Sequence, residues 1–348
     1  MDELLRKESS HSPYISVVLT AYNRKQYLAE AFQSLNEQSL SYEKFEIIII
    51  SNYDVDFLPI LHFLGRGLVI KTIKQEGPIG LFFKSALKVA SGGILCFLDD
   101  DDIFSVQKLA RVLEKFEYDE NLGYYSNDIL IINENGTRPT NKARIGNTFK
   151  TRKNEMLINK NSPWKEILKF VKYRGNALNS AISIRRKILD DYMSVLDCVK
   201  RTEDEVLFAV ALDSGYNLLL DTLKLTKYRN SNTNASRLSS NSPFAIAHRC
   251  EVLKKETETL CQILNTCKIF RSNVTVRYIT LSYSFTQTVY LAFCAGKCAN
   301  FKKKRLLNNF KILFLTPGKV NLILIIIFLL SRIDKNLPIK LYFAFRGE

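Results

Sequence analysis

Residues 45 to 51 read FEIIIIS, and four isoleucines in a row leave no polar face on a strand whose side chains alternate sides. Such a strand has to be covered on both faces, which means a parallel sheet between layers of helix. The neighbouring segments fit the same plan. "YISVVLTAYNR" reads as a strand from Ile15 to Leu19 entering a loop, and "KQYLAEAFQSLNEQ" places Tyr27, Leu28, Ala31, Phe32 and Leu35 at helical spacing. "GLVIKTIKQ" is a third strand, "GLFFKSALKVASG" a helix ended by glycine, and "ILCFLDD" a fourth strand. This alternation predicts an α/β fold, a Rossmann-like, mostly parallel sheet flanked by helices. Ligands of such sheets bind beyond the carboxyl ends of the strands. The loops "TAYNR", "SNYDVD" and "DDDDIF" all lie at that edge.

Further along, the pattern loosens from Thr140 to Lys172, which suggests a mobile insertion. "NSAISIRRKILDDY" reads as a short strand entering a helix, and "EDEVLFAVALDSGYNLLLD" as an amphipathic helix stopped by Gly215 and followed by a strand. Beyond Phe244 the chain turns helical and basic. No Asp or Glu occurs between Thr259 and Ile333, so much of the net charge of +15 belongs to that region, with a cluster at Lys302, Lys303, Lys304 and Arg305. "VNLILIIIFLL", Val320 to Leu330, is too short to span a bilayer, which needs about 20 apolar residues. It reads either as buried core or as a segment lying in a membrane interface. The expected division is a flexible N-terminus over 1–12, the α/β domain over 13–240, and a basic, helical, partly apolar region over 241–348. The seven cysteines form no C-x-x-C pair, and with only three histidines a zinc site is not expected. The polar opening "MDELLRKESSHSPY" resembles neither a signal peptide nor an anchor, so reduced thiols and a cytoplasmic location are expected.

Four aspartates end the fourth strand, in "GGILCFLDDDDIF". Like charges side by side repel unless they are solvated or face something positive. In one reading Asp101 or Asp102 caps the helix in "IFSVQKLARVLEKF" and the rest meet water. In the other the cluster holds a divalent cation that also holds a diphosphate.

"PYISVVLTAYNR", "FEIIIISN" and "ASGGILCFLDDDDIF", in that order, resemble the family 2 glycosyltransferases with the GT-A fold, over roughly residues 13 to 236. "TAYNR" is similar to the family's loop after its first strand. "FLDDDD" is similar to its Asp-x-Asp motif, with Asp99 and Asp101 as the pair and Asp102 following. "RTEDEVLF" is similar to its Glu-Asp motif near the acceptor. "RGNALNSAISIRRKIL" and "KYRNSNTNAS" also resemble stretches of the family. The resemblance implies an inverting transfer of sugar from a UDP- or GDP-type donor to a glycan or lipid-linked acceptor, supported by Mn2+ or Mg2+.

On that chemistry Asp101, with Asp99 or Asp102, would hold the metal and neutralise the departing diphosphate. Asp204, with Glu203 as the second choice, would take the proton of the acceptor hydroxyl. Thr202 before three acidic residues also suits a plain helix start. Nucleotide-sugar contacts are expected from Thr20, Tyr22, Asn23, Arg24, Lys84, Asp99 and Asp100, and from Ser51 and Asn52, where the family usually carries acids. Asp54 is an alternative at that place, and Gly93 also stands where the family commonly carries an acid. Arg185 and Arg186 read as phosphate contacts or as solvent-facing; Trp164 reads as a sugar platform or a core plug. Two other classes compete: a nucleic-acid binder, against which the chain shows no recognisable nucleic-acid motif, and an inactive membrane-surface binder. The expectation is a metal-dependent glycosyltransferase held peripherally on the cytoplasmic face of a membrane by its basic region, acting in glycan or surface polysaccharide synthesis.

Overall fold

A computed structural model of the protein describes residues 14–22, 25–55, 67–139, 154–230, 243–266 and 269–294. The chain divides into two compact units, Met1–Ser231 and Asn232–Glu348.

In the first unit β1 (Ile15–Ala21), β2 (Phe45–Ser51), β3 (Val69–Lys74) and β4 (Ile94–Asp99) lie parallel in the order β3-β2-β1-β4. All four isoleucines of β2 are fully buried. One face of the sheet, with Val17, Leu19, Ile47 and Ile49, shares a core with Leu28, Phe32 and Leu35 of α1 (Leu28–Asn36) and with Leu109, Val112 and Phe116 of α3 (Lys108–Tyr118). On the opposite face α2 (Ile79–Val89) packs Phe83 on Phe97, ring centroids 4.7 Å apart. Full burial of each such side chain contributes about 1.5–3 kcal/mol. Gly92 sets the entry to β4: a Cβ there would lie 2.5 Å from the Ser16 backbone nitrogen. The strand order reverses between β1 and β4, and there the loops after both strands open a crevice at the carboxyl edge.

The second half of the sheet is mixed. β5 (Ile103–Phe104), β6 (Leu122–Ile132), β7 (Met156–Ile158), β8 (Ile182–Arg185) and β9 (Asn217–Arg229) complete the path β3-β2-β1-β4-β8-β6-β9-β5, with β7 on β9. β8 joins β4 and β6 antiparallel, while β6 and β9 run parallel. The stretch read as a loosened insertion is corrected over its second part: 156–158 is strand and Trp164–Lys172 is helix α4, which buries Ile167 and Phe170. Residues 140–153 lie outside the described residues.

Two short helices, α5 (Arg186–Asp191) and α6 (Met193–Leu196), precede α7 (Glu203–Ser214). α7 is not amphipathic as expected. It is buried continuously from Val206 to Asp213, because sheet and helices surround it, and it stops at Gly215 with φ +90°. Arg185 and Arg186 are partly exposed, and both are engaged by backbone carbonyls. Arg185 donates to the carbonyls of Leu122 and Glu120, and Arg186 to those of Leu87 and Ala90 at the end of α2, where a cation is favoured.

In the second unit α8 (Pro243–Asn265) and α9 (Asn273–Cys294) pack together. Val252, Leu253, Leu260 and Ile263 of α8 and Tyr278 and Ile279 of α9 are buried. Among the described residues no helix is long and apolar enough to cross a membrane. The run 320–330 and the cluster 302–305 lie outside the described residues. Cys96, Cys198 and Cys261 are free, but Cys250 is disulfide-bonded, which corrects the expectation of wholly reduced thiols.

Candidate active site

The four aspartates are not a solvated helix cap. Asp100, Asp101 and Asp102 are buried, and the N-cap of α3 is Gln107, well past the cluster. Three of the four carboxylates have distinct partners. Asp99 Oδ1 accepts from Thr20 Oγ1 at 3.1 Å and from Asn179 Nδ2 at 2.9 Å. Asp100 Oδ2 accepts the Tyr22 amide at 3.1 Å, which ties the turn to the loop after β1. Asp102 Oδ1 accepts the Arg229 amide at 2.9 Å, which ties it to the end of β9.

The Arg229 side chain, wholly buried, closes the turn from behind. It donates to the Asp101 carbonyl at 2.9 Å and to Glu30 Oε2 at 2.7 Å, and lies 4.2 Å from the Tyr27 ring centroid. Even so, burial and then the charges of Asp101 and Asp99 push the Asp102 carboxyl well above the ordinary aspartate range.

Across the crevice stands the start of α7. Asp204 Oδ2 accepts the Leu178 amide at 3.0 Å and its Oδ1 the Glu205 amide at 2.9 Å. Burial raises its pKa, and these two bonds work against that by favouring the ionised form. Glu203 is pushed up to about 7, by burial first and then by Asp204 and Asp99. The influence of Asp99 on both acids places the two groups in one electrostatic site. Thr202 precedes α7 in the left-handed region, φ +60°, and makes no side-chain cap. Arg174 and Leu178, at φ +62° and +71°, are the other left-handed non-glycine residues among those described. All three surround Asp204, a concentration of backbone strain of the kind found at working sites.

The link between the two acid groups is a 3₁₀ turn, Asn179–Ala181. Leu178 before it holds Asp204, Asn179 holds Asp99, and the Asp99 amide donates to Ser180 Oγ at 3.0 Å. Asn179, Ser180 and Arg229 were not singled out from the sequence. Their only signal lay in the family-like stretches "RGNALNSAISIRRKIL" and "KYRNSNTNAS".

Among the residues expected to meet the nucleotide, Thr20 sits beside Asp99 in register, and Tyr22 is half exposed with its ring edge on Phe82, 5.9 Å away. Ser51 is buried and bonds to the Tyr53 backbone, and the Asn52 amide donates to the Ala21 carbonyl at 3.3 Å. Asp54 does not turn inward; it is exposed and pairs with Lys74 at 2.9 Å. Lys84 pairs with Asp197 at 2.6 Å. Asn23 and Arg24 lie outside the described residues, and Trp164 is half-buried at the start of α4.

Among the described residues no three His, Cys, Asp or Glu side chains are arranged to hold a metal unaided. The donors do fit an ion that takes one or two carboxylates and completes its shell with phosphate oxygens and water. Both bonds to Asp99 land on Oδ1, so Oδ2 accepts none among the described residues.

Residues 16–184 match the family model described as glycosyl transferase family 2. Two curated proteins are similar over parts of the chain. The "Minor teichoic acid biosynthesis protein GgaB" of Bacillus subtilis is 28% identical over 118 residues, 33% of this chain and 13% of its own. The "Poly(ribitol-phosphate) beta-glucosyltransferase" of Bacillus spizizenii is 30% identical over 103 residues, 28% of this chain and 16% of its own. The chain spans between 13% and 42% of the length of the first curated relatives it matches. Among solved structures, S. aureus TarS 1-349 in complex with UDP shares the fold, with TM-score 0.57 at 15% identity over 96% of this chain and 92% of that one.

Proposed function

We propose, from the premise that residues 16–184 belong to glycosyl transferase family 2, that this chain moves a sugar from a nucleoside-diphosphate donor to an acceptor hydroxyl. The observation that carries the reading is the 3₁₀ turn that holds Asp99 on one side and Asp204 on the other. That arrangement supports a reading in which Asp99 binds the donor and Asp204 accepts the proton.

Asp101 and Asp99 would hold a Mn2+ or Mg2+ ion, which when bound offsets the charge of the departing diphosphate. Asp102 serves as the tie to β9, since its Oδ1 is engaged by the Arg229 amide. Thr20 and Tyr22 line the nucleotide side. Asp204, kept receptive by two backbone donors, takes the proton of the attacking hydroxyl, and a single displacement inverts the anomeric carbon. Glu203, whose carboxyl burial pushes up to about 7, is the second candidate. Relatives named for teichoic acid and poly(ribitol-phosphate) chemistry favour a phosphate-bearing surface polymer, or its lipid-linked precursor, as the acceptor class. The acid-free span from Thr259 to Ile333 would draw the chain to the anionic cytoplasmic face of a membrane.

The test is isothermal titration of UDP and GDP, with and without Mn2+, into wild type and Asp101→Ala. Binding of one nucleotide that needs both the metal and Asp101 is the expected result and identifies the base. No binding of either nucleotide under any condition would overturn the proposal.

A further inference from the structure

Lys108 begins α3 six residues after the last aspartate, yet its side chain is wholly buried. A lysine at a helix start ordinarily extends its ammonium to water along an apolar stem. Here Nζ points inward between the rings of Phe104 and Tyr125, 5.3 and 5.4 Å from their centroids. It donates to the Ala181 carbonyl at 3.2 Å and to Asn127 Oδ1. Burying an ammonium without a paired carboxylate is costly, and burial pushes this one down to about 8. A leucine or methionine would fill the same space without that cost.

What the ammonium holds is the turn Asn179–Ala181. Ala181 closes that turn, and a second grip comes from Thr226, whose hydroxyl donates to the Ser180 carbonyl at 2.9 Å. Asn127 connects the two, accepting from Lys108 and donating to Thr226 Oγ1 at 3.1 Å. The opposite side of the same turn carries Asn179 on Asp99, Ser180 on the Asp99 amide and, one residue earlier, the Leu178 amide on Asp204.

We infer that Lys108 is a positioning residue for sugar transfer, pinning through Ala181 the turn that fixes the separation between the donor-binding acids and the candidate base. It touches no residue of the crevice directly, and Thr226 shares its role from the neighbouring strand. The inference rests on the glycosyltransferase reading above. Small displacements of reacting groups are expensive in rate, up to a hundredfold for about 1 Å. Nucleotide binding is less exposed to such a shift, because Asp99 is also held independently of the turn, by its register beside Thr20 of β1 and by the Thr20 hydroxyl at 3.1 Å.

The experiment compares the full chain with Lys108→Met, which keeps the buried stem, and Thr226→Val, which keeps the shape and removes the hydroxyl. Three quantities are read: amide exchange over residues 178–182, nucleotide affinity with its stoichiometry, and kcat and donor KM per titrated site. Both variants should exchange these amides about tenfold faster, hold nucleotide affinity within about twofold, and lose about tenfold or more in kcat, with Thr226→Val the milder. Unchanged kcat per titrated site would overturn the inference, and so would an exchange rate left at the wild-type value. Should Lys108→Met fail to fold, Thr226→Val decides. A wild type that neither binds nucleotide nor transfers sugar overturns the glycosyltransferase reading instead, a result distinct from slow transfer by the variants.

Discussion

The parallel half of the sheet and the mixed half bury different kinds of atoms. Between β1, β2 and β4 the interior is mainly hydrocarbon: Val17, Val18, Leu19, the four isoleucines of β2 and Phe97 are essentially unexposed, and the buried charge at the strand starts, Glu46, is met by Ser16 at 2.7 Å and Lys71 at 2.6 Å. Around β6, β8 and β9 the interior holds Lys108, Asn127, Ser180, Asp221, Thr226 and Arg229, each nearly or wholly buried. Those polar groups persist because each finds a partner far away in sequence, as Asp221 does in Arg111 at 2.9 Å and Tyr125 at 3.0 Å. The comparison teaches a division of labour. Apolar burial, which has no direction, assembles the parallel half, whereas directional bonds in the mixed half set the spacing of the acids.

The largest effect that would sharpen this comparison falls at the crevice. Asp204→Asn should lower kcat by about 10³-fold while nucleotide affinity stays near wild type, since general bases contribute typically 10²–10⁴-fold. Steady-state kinetics beside calorimetry checks it; a comparable loss in Glu203→Gln with none in Asp204→Asn would reverse the two roles. Next comes the polar interior. Arg229→Met removes hydrogen bonds to Glu30 and to the carbonyls of Asp101, Asn133 and Glu134, and should cost about 3 kcal/mol in denaturant unfolding.

A pH effect follows from Glu203. Its folded-state pKa of about 7 lies above the ordinary 4.5, so the folded chain holds that proton more tightly than the unfolded chain does. The resulting stability is complete below about pH 4.5 and is lost as pH rises through about 7. Glu203→Gln should therefore gain on wild type as pH rises from 5 to 8, on the order of 3 °C in Tm, and show no such trend below 4.5. Parallel melting curves for the two proteins would reveal it. The smallest expected effect lies in the hydrocarbon half. Ile49→Val should cost only about 1 kcal/mol and leave kinetics unchanged; a loss as large as that of Arg229→Met would erase the contrast between the halves.

Different parts of the fold were legible to different degrees. β1 to β4 and their helices could be read from the chain, because a strand buried on both faces and a helix with one apolar side leave local signatures in residue order. β6 went unnoticed: "LGYYSNDILII" mixes buried tyrosines with Ser126 and Asn127, whose burial depends on Lys108 and Thr226. α7 was taken for amphipathic, since nothing local says that its polar Asp213 also lies inside. Asp99, Asp101 and Asp204 stood out as charges at strand and helix ends. Arg185 and Arg186 stood out too, yet they bind backbone carbonyls that only the folded chain brings near.

By itself, then, the order of residues determined the parallel scaffold, the edge at which its loops gather, and the acids carried there, because hydrophobic periodicity and charge are properties of neighbours along the chain. Which of four adjacent aspartates bind structure and which face the crevice was decided only in three dimensions. The partners that decide it, Tyr22, Asn179 and Arg229, come from three separate elements, and a hydrogen bond depends on distance in space, which residue order does not record.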